Sequence, residues 1–213
     1  MKKLFQITAA LLLIAAGSAQ ADVVGKAEDG AKKAQMCIGC HGIHGYRASF
    51  PEIHQVPMIA GQNPKYIAAA LEAYAKGERK HPTMRGIATS LKEQDIADLA
   101  AFYAGQAQVE PAATIPAAPA AIAAKVAVCV ACHGVNFSKP VTGAEPKLAG
   151  QHADYLFVAL KSYQTTDNAL VGRGNAIMAG QVKELSHADL KAIASYIGSL
   201  PGEVRTVPET RLR

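Results

Sequence analysis

The spacing of apolar and polar residues predicts helices along most of the chain, and these helices come in pairs. Two alanine-rich helices are expected at residues 29–39 and 121–131, and two longer amphipathic helices at residues 64–76 and 152–163. No segment shows the alternation that a half-buried strand requires. The pattern therefore predicts an all-α fold.

A further pair of helices is indicated by two capping boxes. Ser90-x-x-Glu93 and Ser186-x-x-Asp189 match the motif in which a hydroxyl and a carboxylate accept hydrogen bonds from backbone N–H groups at a helix start. Apolar residues recur at helical spacing behind both boxes. We therefore expect each half of the chain to contain a last amphipathic helix.

The same plan is present twice along the chain. Each half contains a Cys-x-x-Cys-His motif, at residues 37–41 and 129–133, and then a P-x-[IL]-A-G-Q segment, at residues 57–62 and 146–151. Self-similarity over this length indicates one supersecondary unit used twice. The chain is therefore expected to be a duplication.

A stretch rich in proline and alanine separates the two halves. Residues 105–120 contain three prolines among several alanines, which is typical of a semi-extended linker. We predict two tandem helical domains, at 22–108 and 121–213, joined by a linker at 109–120.

The first 21 residues have the layout of a secretory signal peptide. Lys2 and Lys3 precede an apolar run at residues 4–16, and Ala19-Gln-Ala21 is a small-residue cleavage site. The run is shorter than the ~20 residues of a membrane-spanning helix. No later segment is long and apolar enough to span a bilayer. We therefore expect a mature chain in a bacterial periplasm, without a transmembrane segment.

Composition and charge exclude other classes of protein. The chain is 50% hydrophobic, which supports packed cores and argues against disorder. Its net charge of +5 falls to +3 without Lys2 and Lys3 (5 − 2 = 3), and no dense basic run favours nucleic-acid binding. Five scattered cations could flank a docking face for a partner protein, although solvated surface is the simpler interpretation. They are Lys32, Lys33, Arg79, Lys80 and Arg85.

The two Cys-x-x-Cys-His motifs are the pattern of covalent c-type haem attachment. Two thiols three positions apart can bond to the two vinyl groups on one porphyrin edge, and the next residue places an imidazole under the iron. The predicted attachment residues are Cys37, Cys40, Cys129 and Cys132, and the predicted first iron ligands are His41 and His133.

Three other uses of the cysteines are weaker. A thioredoxin-type redox motif needs a βαβ pattern that the sequence lacks. Structural disulfides suit an exported chain, but they leave both histidines unexplained. A zinc site built from both pairs would enclose 88 residues (129 − 40 − 1 = 88), against about 15–20 in a zinc ribbon.

The second iron ligands are predicted to be Met84 and Met178. Met178 is the single methionine of the second half, and both methionines lie 11 residues before an aspartate of the last helix, at Asp95 and Asp189 (95 − 84 = 11, 189 − 178 = 11). Methionine with histidine is a known ligand pair of cytochromes c. The alternatives are that each methionine only fills the core, or that His81 replaces Met84 in a bis-histidine site.

Together these features resemble the diheme class I cytochromes c, and closely the cytochrome c4 type. The resemblance covers essentially the whole mature chain. It implies two cytochrome c-like helical domains, each with one haem held by histidine and methionine, packed with the haem edges close. It also implies a periplasmic role in carrying electrons, often to a terminal oxidase.

A six-coordinate iron has no open position for a substrate. We therefore expect an electron-transfer protein and no enzyme, passing single electrons between redox proteins such as a terminal oxidase or a dehydrogenase. The alternative is a haem enzyme of the thiosulfate dehydrogenase or peroxidase type, or its electron-accepting subunit. The enzyme would need a displaceable ligand on one haem.

The two halves differ most just after the first motif. The segment 42–57 is longer than its counterpart 134–146. It could form a partner-specific surface or be a tolerated loop insertion.

Overall fold

Helices dominate the computed structural model, which describes residues 23–106 and 114–208. This confirms the predicted fold class, while the predicted signal peptide lies outside the described residues. The helices are α1 (Ala27–Lys33), α2 (Gln35–His41), α3 (Pro64–Lys76), α4 (Pro82–Ala88), α5 (Glu93–Ala104), α6 (Ala120–Ala127), α7 (Val130–His133), α8 (Ala153–Gln164), α9 (Ala176–Val182) and α10 (His187–Ser199). The strands are β1 (Arg47–Ala48), β2 (His54–Gln55), β3 (Arg79–Lys80) and β4 (Gly172–Arg173). Within these described ranges, no helix is long and apolar enough to cross a membrane.

Local signals place α3 at the predicted residues. The Asn63 side chain accepts a hydrogen bond from Lys65 N at 3.3 Å, Pro64 occupies the first turn, and Gly77 ends the helix in the left-handed region at φ 78°. The helix buries Ile67, which packs with α5 in the first core. In the second domain α8 packs on α10 in the same way.

The two alanine-rich helices are each divided. The predicted helix at 29–39 is interrupted at Ala34, whose carbonyl accepts hydrogen bonds from Cys37 N at 2.9 Å and Ile38 N at 3.0 Å. The predicted helix at 121–131 is likewise divided into α6 and α7. As a result α1, which packs along α5, and the helix that carries the cysteine motif are separate elements.

The first helices of the two domains, α1 and α6, pack through different residue types at the same position. In α1, Gly30 lies so close to α5 that an added Cβ would be 2.1 Å from the Asp98 carbonyl oxygen. In α6, the equivalent position is Ile122, seven residues before the first cysteine in each case (37 − 30 = 7, 129 − 122 = 7). Ile122 is 3% exposed and belongs to the second core.

One capping box is confirmed and the other is wrong. Ser186 and Asp189 exchange hydrogen bonds at the start of α10, as predicted. The helix predicted to begin after Ser90 is α5, and it begins instead at Glu93, after Lys92. The Asp95 carboxylate accepts a hydrogen bond from Lys92 N at 2.9 Å. The Ser90 hydroxyl donates to the Ile87 carbonyl and belongs to the preceding turn.

Four short strands were not predicted, because two residues are too few to show an alternating pattern. β1 pairs with β2 in antiparallel register, with Arg47 opposite Gln55. β3 pairs with β4, with Arg79 opposite Arg173, and so joins the two domains.

The domain interface repeats its contacts about an approximate two-fold relation. The Gln62 side chain bonds both backbone groups of Lys147, at 2.9 and 2.8 Å. The Gln151 side chain bonds both backbone groups of Met58, at 2.8 and 3.0 Å. Both glutamines are 4% exposed, so their buried amides find hydrogen-bond partners in the backbone of the opposite domain.

Two segments outside the helical cores make further contacts, and one of them crosses between the domains. Residues 114–119 have no helix or strand, and the Pro116 carbonyl accepts a 2.8 Å hydrogen bond from the Tyr196 hydroxyl. At the other end of the chain, Arg205 N donates to the Ala60 carbonyl at 3.0 Å, and Val207 packs against the first core. The end of the second domain therefore completes part of the first.

Candidate functional site

One cavity of about 490 Å³ extends across both domains. All four predicted iron ligands line it, and so do Cys37 and Cys40. Cys129 and Cys132 are not among the lining residues. Cys129 packs partly buried against the second core, and Cys132 is exposed.

Each histidine of the motifs is oriented by a proline carbonyl. His41 Nδ1 lies 2.7 Å from the Pro57 oxygen, and His133 Nδ1 lies 3.1 Å from the Pro146 oxygen. The Nδ1–H group donates in this arrangement, which leaves Nε2 free to bind a metal. Burial lowers the pKa of both imidazoles, which favours the neutral form that a metal ligand needs.

The two methionines occupy matching places in the short helices α4 and α9. Met84 N donates to His81 Nδ1 at 3.4 Å, and Met178 N donates to Asn175 Oδ1 at 2.9 Å. His81 and Asn175 are therefore equivalent N-caps. This role accounts for His81 without iron ligation and weakens the bis-histidine alternative.

The four cysteines are not joined in disulfide bonds. Burial raises the pKa of Cys37 and of Cys129. No group of three or more histidine, cysteine, aspartate or glutamate side chains is arranged to hold a metal ion within residues 23–106 and 114–208. The disulfide and zinc alternatives gain no support from this arrangement.

A cluster of two arginines and four tyrosines lines part of the cavity. Arg79 is 9% exposed and donates to the Tyr66 hydroxyl at 3.1 Å and to the Tyr155 hydroxyl at 2.7 Å. Arg173 donates to the same Tyr155 hydroxyl at 3.1 Å. The two guanidinium groups also lie over the rings of Tyr74 and Tyr163, at 4.5 and 5.3 Å from the centroids.

This cluster holds positive charge that no acidic side chain within residues 23–106 and 114–208 pairs with. Neither Arg79 nor Arg173 forms an ion pair with a carboxylate of the described residues, and Arg79 Nε has no hydrogen-bond partner there. Burial alone would raise the pKa of Tyr155, but the two arginines outweigh it and lower the value to about 8. Buried cations of this kind fit a bound group that carries carboxylates, such as the two propionates of a haem.

The interpretation of Arg79 as solvated surface is wrong, because the second domain buries it. The sequence did contain a sign that Arg79 and Arg173 belong to the site. Arg79 and Arg173 are 94 positions apart, as are Met84 and Met178 (173 − 79 = 94, 178 − 84 = 94).

The cytochrome c family profile matches residues 27–105 and 120–201, one match in each half of the chain. This chain belongs to the cytochrome c family. Within that family it is of the diheme cytochrome c4 type, and it carries two covalently attached haem c groups. The arginine–tyrosine cluster, the cavity and the oriented histidines are compatible with two bound haem groups.

Similar proteins cover nearly the whole chain. Cytochrome c4 from Pseudomonas aeruginosa is 30% identical over 92% of this chain and 98% of its own length. The crystal structure of reduced recombinant cytochrome c4 from Pseudomonas stutzeri has a TM-score of 0.61 and 28% identity, and covers 83% of this chain and 100% of that chain. A thiosulfate dehydrogenase electron acceptor from Thiomonas intermedia is 26% identical, over 79% of this chain and 80% of its own length. Cytochrome c4 proteins are electron carriers, and this chain is a diheme electron-transfer cytochrome.

Proposed function

We propose that this cytochrome is a periplasmic shuttle in which His41 and Met84 bind one haem iron and His133 and Met178 bind the other. The observation that carries the proposal is the repeated geometry. Each motif histidine is held by a proline carbonyl, and an equivalently placed methionine lines the same cavity.

The histidines are prepared for iron before it binds. The hydrogen bonds from Nδ1 to the carbonyls of Pro57 and Pro146 set the tautomer and the plane of each ring. Such bonds also raise the basicity of the ligating nitrogen. Little movement of either ring is then needed when the oxidation state changes.

The methionines close the second side of each site. When bound, each haem supplies a one-electron couple between Fe(III) and Fe(II). A neutral sulfur ligand raises the reduction potential of such a centre. If His41 and Met84 hold one iron and His133 and Met178 hold the other, neither site would have room for a substrate, which supports a carrier without chemistry of its own.

Arg79 and Arg173 are the residues that we assign to the haem carboxylates. Both guanidinium groups lie at the join between the two domains, where β3 pairs with β4. Arginine binds carboxylates through paired N–H groups, and these two have no carboxylate partner among the described side chains. They would compensate negative charge from both haems at the interface.

The alternative is an electron-accepting subunit of a dehydrogenase. It is supported by the similarity to the Thiomonas intermedia electron acceptor, at lower identity than to cytochrome c4. A terminal oxidase and a dehydrogenase remain the proposed kinds of partner. A dehydrogenase that copurifies with the cytochrome from its native host would favour the subunit.

Export is tested on the purified protein itself. If residues 1–21 are a cleaved signal peptide, the mature chain from the periplasmic fraction begins at Asp22. Mass spectrometry of the intact protein measures this cleavage and counts the attached haems together. A haem-loaded chain that retains residue 1 and fractionates with the cytoplasm would contradict a periplasmic shuttle.

The ligand assignment is tested by optical spectroscopy of the holoprotein, with carbon monoxide added to the reduced form. We expect two haems per chain, a ferric methionine–iron band, and no binding of carbon monoxide. Rapid binding to one haem would mean an open or labile iron and would favour the enzyme alternative. A missing methionine–iron band would contradict the assignment of Met84 and Met178.

A further inference from the structure

The segment 42–57, here called the clasp, lies against the other domain. Strand β2 of the clasp contacts helix α8 of the second domain. The counterpart segment 134–146 is anchored differently. Phe137 is 1% exposed in the second core, and its carbonyl accepts hydrogen bonds from Leu148 N at 2.7 Å and Ala149 N at 3.1 Å.

Charged groups make the contact between the clasp and α8. Lys161 Nζ lies 2.9 and 3.0 Å from the two carboxylate oxygens of Glu52. The Asp154 carboxylate accepts a hydrogen bond from Gln55 N at 3.0 Å and lies 3.6 Å from the Arg47 guanidinium. Two ion pairs and one backbone hydrogen bond therefore join segments that are about 100 positions apart in the chain.

The clasp is itself stiffened by internal hydrogen bonds. β1 and β2 form a small antiparallel hairpin, and Val56 N donates to the Tyr46 carbonyl at 2.9 Å. The His54 ring is 4% exposed, with Nδ1 2.7 Å from the Glu52 carbonyl oxygen and its centroid 6.2 Å from that of Tyr155. Movement of the hairpin would therefore shift groups beside the arginine–tyrosine cluster.

We propose that the clasp is a positioning element that holds the two domains together through Glu52–Lys161 and Asp154, and so sustains electron exchange between the two haems. The inference rests on the proposed function, because it needs two redox centres in one chain. It assigns a role to the segment whose extra length was open to two interpretations. The extra residues serve the partner domain within the same molecule.

Two backbone amides report on separation of the domains. Met58 N–H donates to Gln151, and Lys147 N–H donates to Gln62, in both cases across the interface. Each amide can exchange with solvent only when its glutamine moves away. Their hydrogen-exchange rates in the reduced, haem-loaded protein therefore measure the opening of the interface.

The variant Glu52→Lys places two like charges at the contact with Lys161. We expect exchange at both reporter amides to rise roughly three- to tenfold, as for reversal of one partly exposed ion pair. Redistribution of an electron between the haems after rapid partial reduction should become slower. The charge swap Glu52→Lys with Lys161→Glu restores opposite charges and should restore both measurements.

Glu72→Lys is the matched control. Glu72 and Lys76 form an exposed ion pair 3.2 Å apart on one helix, α3, so this pair does not itself bridge the two domains. The reversal changes the net charge by the same amount as Glu52→Lys, and it should leave amide exchange and inter-haem electron transfer unchanged.

The possible outcomes separate this inference from the proposed function. If Glu52→Lys behaves like Glu72→Lys in either measurement, the clasp does not sustain electron exchange and the inference is wrong. If the wild-type protein lacks methionine–iron bands, the proposed ligation fails, while the amide measurement still reports whether the clasp holds the domains. Faster amide exchange with slower electron redistribution, both restored by the charge swap, is the result that supports the inference.

Discussion

The two segments that follow the haem-binding motifs occupy equivalent places in the sequence, but their strongest contacts differ. Segment 134–146 places Phe137 in the core of its own domain, whereas segment 42–57 forms ion pairs with the neighbouring domain. The groups that orient the motif histidines are nevertheless the same, at Pro57 and Pro146. Both halves keep the proline carbonyl that orients the motif histidine, whereas the segments that follow the motifs differ in what they contact.

The methionines give the strongest way to test the equivalence of the two sites. Met84→Ala and Met178→Ala should each remove about half of the ferric methionine–iron band, because the proposed ligation gives each site its own sulfur ligand. Each variant should bind one carbon monoxide per chain in the reduced state, and the double variant should bind two. Optical titration measures both quantities.

The same titration contains its control. Met36→Ala changes a methionine that is 53% exposed beside the first motif and should bind no carbon monoxide. An unchanged methionine–iron band in Met84→Ala would show that another residue ligates the first iron.

Substitutions in the first helix of each domain, α1 and α6, should give the next largest effect, on the free energy of unfolding. Ile122→Ala should lower the free energy of unfolding by about 2–5 kcal/mol, because it opens a cavity in the second core. Gly30→Ala should lower it by about 1–3 kcal/mol, because the new methyl group collides with the backbone of α5. Thermal or denaturant unfolding of both variants measures the difference. A more stable Gly30→Ala protein would mean that helix propensity outweighs the close approach of α1 to α5.

A smaller effect is expected from the paired arginines. Arg79→Gln removes a more deeply buried cation than Arg173→Gln does, and a nearby cation disfavours the ferric state. We expect Arg79→Gln to lower a midpoint potential by roughly 60 mV, which corresponds to ~1.4 kcal/mol for one electron. Arg173→Gln should give a smaller decrease in a redox titration. The neighbouring Lys80→Gln is the control, and an equal decrease in that variant would point to overall charge as the cause.

The smallest expected effect concerns Asp98, and it is a change in the free energy of unfolding that appears only at acid pH. Hydrogen bonds from the Lys33 side chain and from Lys26 N hold the pKa of Asp98 at about 2, below its ordinary value of 3.8. Because the pKa is lowered by folding, its contribution to stability is complete above the ordinary value and is lost as the pH falls from about 4 towards 2. The equivalent position in the second domain is Ala192 (98 + 94 = 192).

Asp98→Asn should therefore make the unfolding free energy less dependent on pH in this range. Circular dichroism during acid titration measures the change. An identical acid profile in wild type and variant would show that Asp98 titrates at its ordinary pKa in the folded protein.

The parts of the fold that local signals determine were predictable from the sequence. Asn63, Pro64 and Gly77 lie within or beside α3, and the helix has the predicted bounds. Ser90 misled the prediction for α5, because a serine followed by a glutamate also fits the end of the preceding turn. The spacing shared by Asp95 and Asp189 contained the better signal.

In the candidate site, the residues of the repeated motifs were predictable from the sequence, whereas the contacts between the domains were not. The motif cysteines, His41 and His133 could be named from spacing alone, and the methionines from their repeated place, although the ligation stays a prediction. The burial of Arg79 depends on the second domain, and the contacts of Glu52 and Asp154 join distant parts of the chain. Such contacts depend on how the domains pack, which local patterns do not report.

The pairing of Arg205 with Ala60 has a consequence for how the protein is made. A segment that is synthesised after the second domain supplies a backbone partner and an apolar contact to the domain that is synthesised first. If the chain is exported as proposed, the first domain would emerge with its cysteine motif while this contact is still missing. Its haem pocket would then stay accessible for haem attachment until the segment around Arg205 arrives and completes the domain.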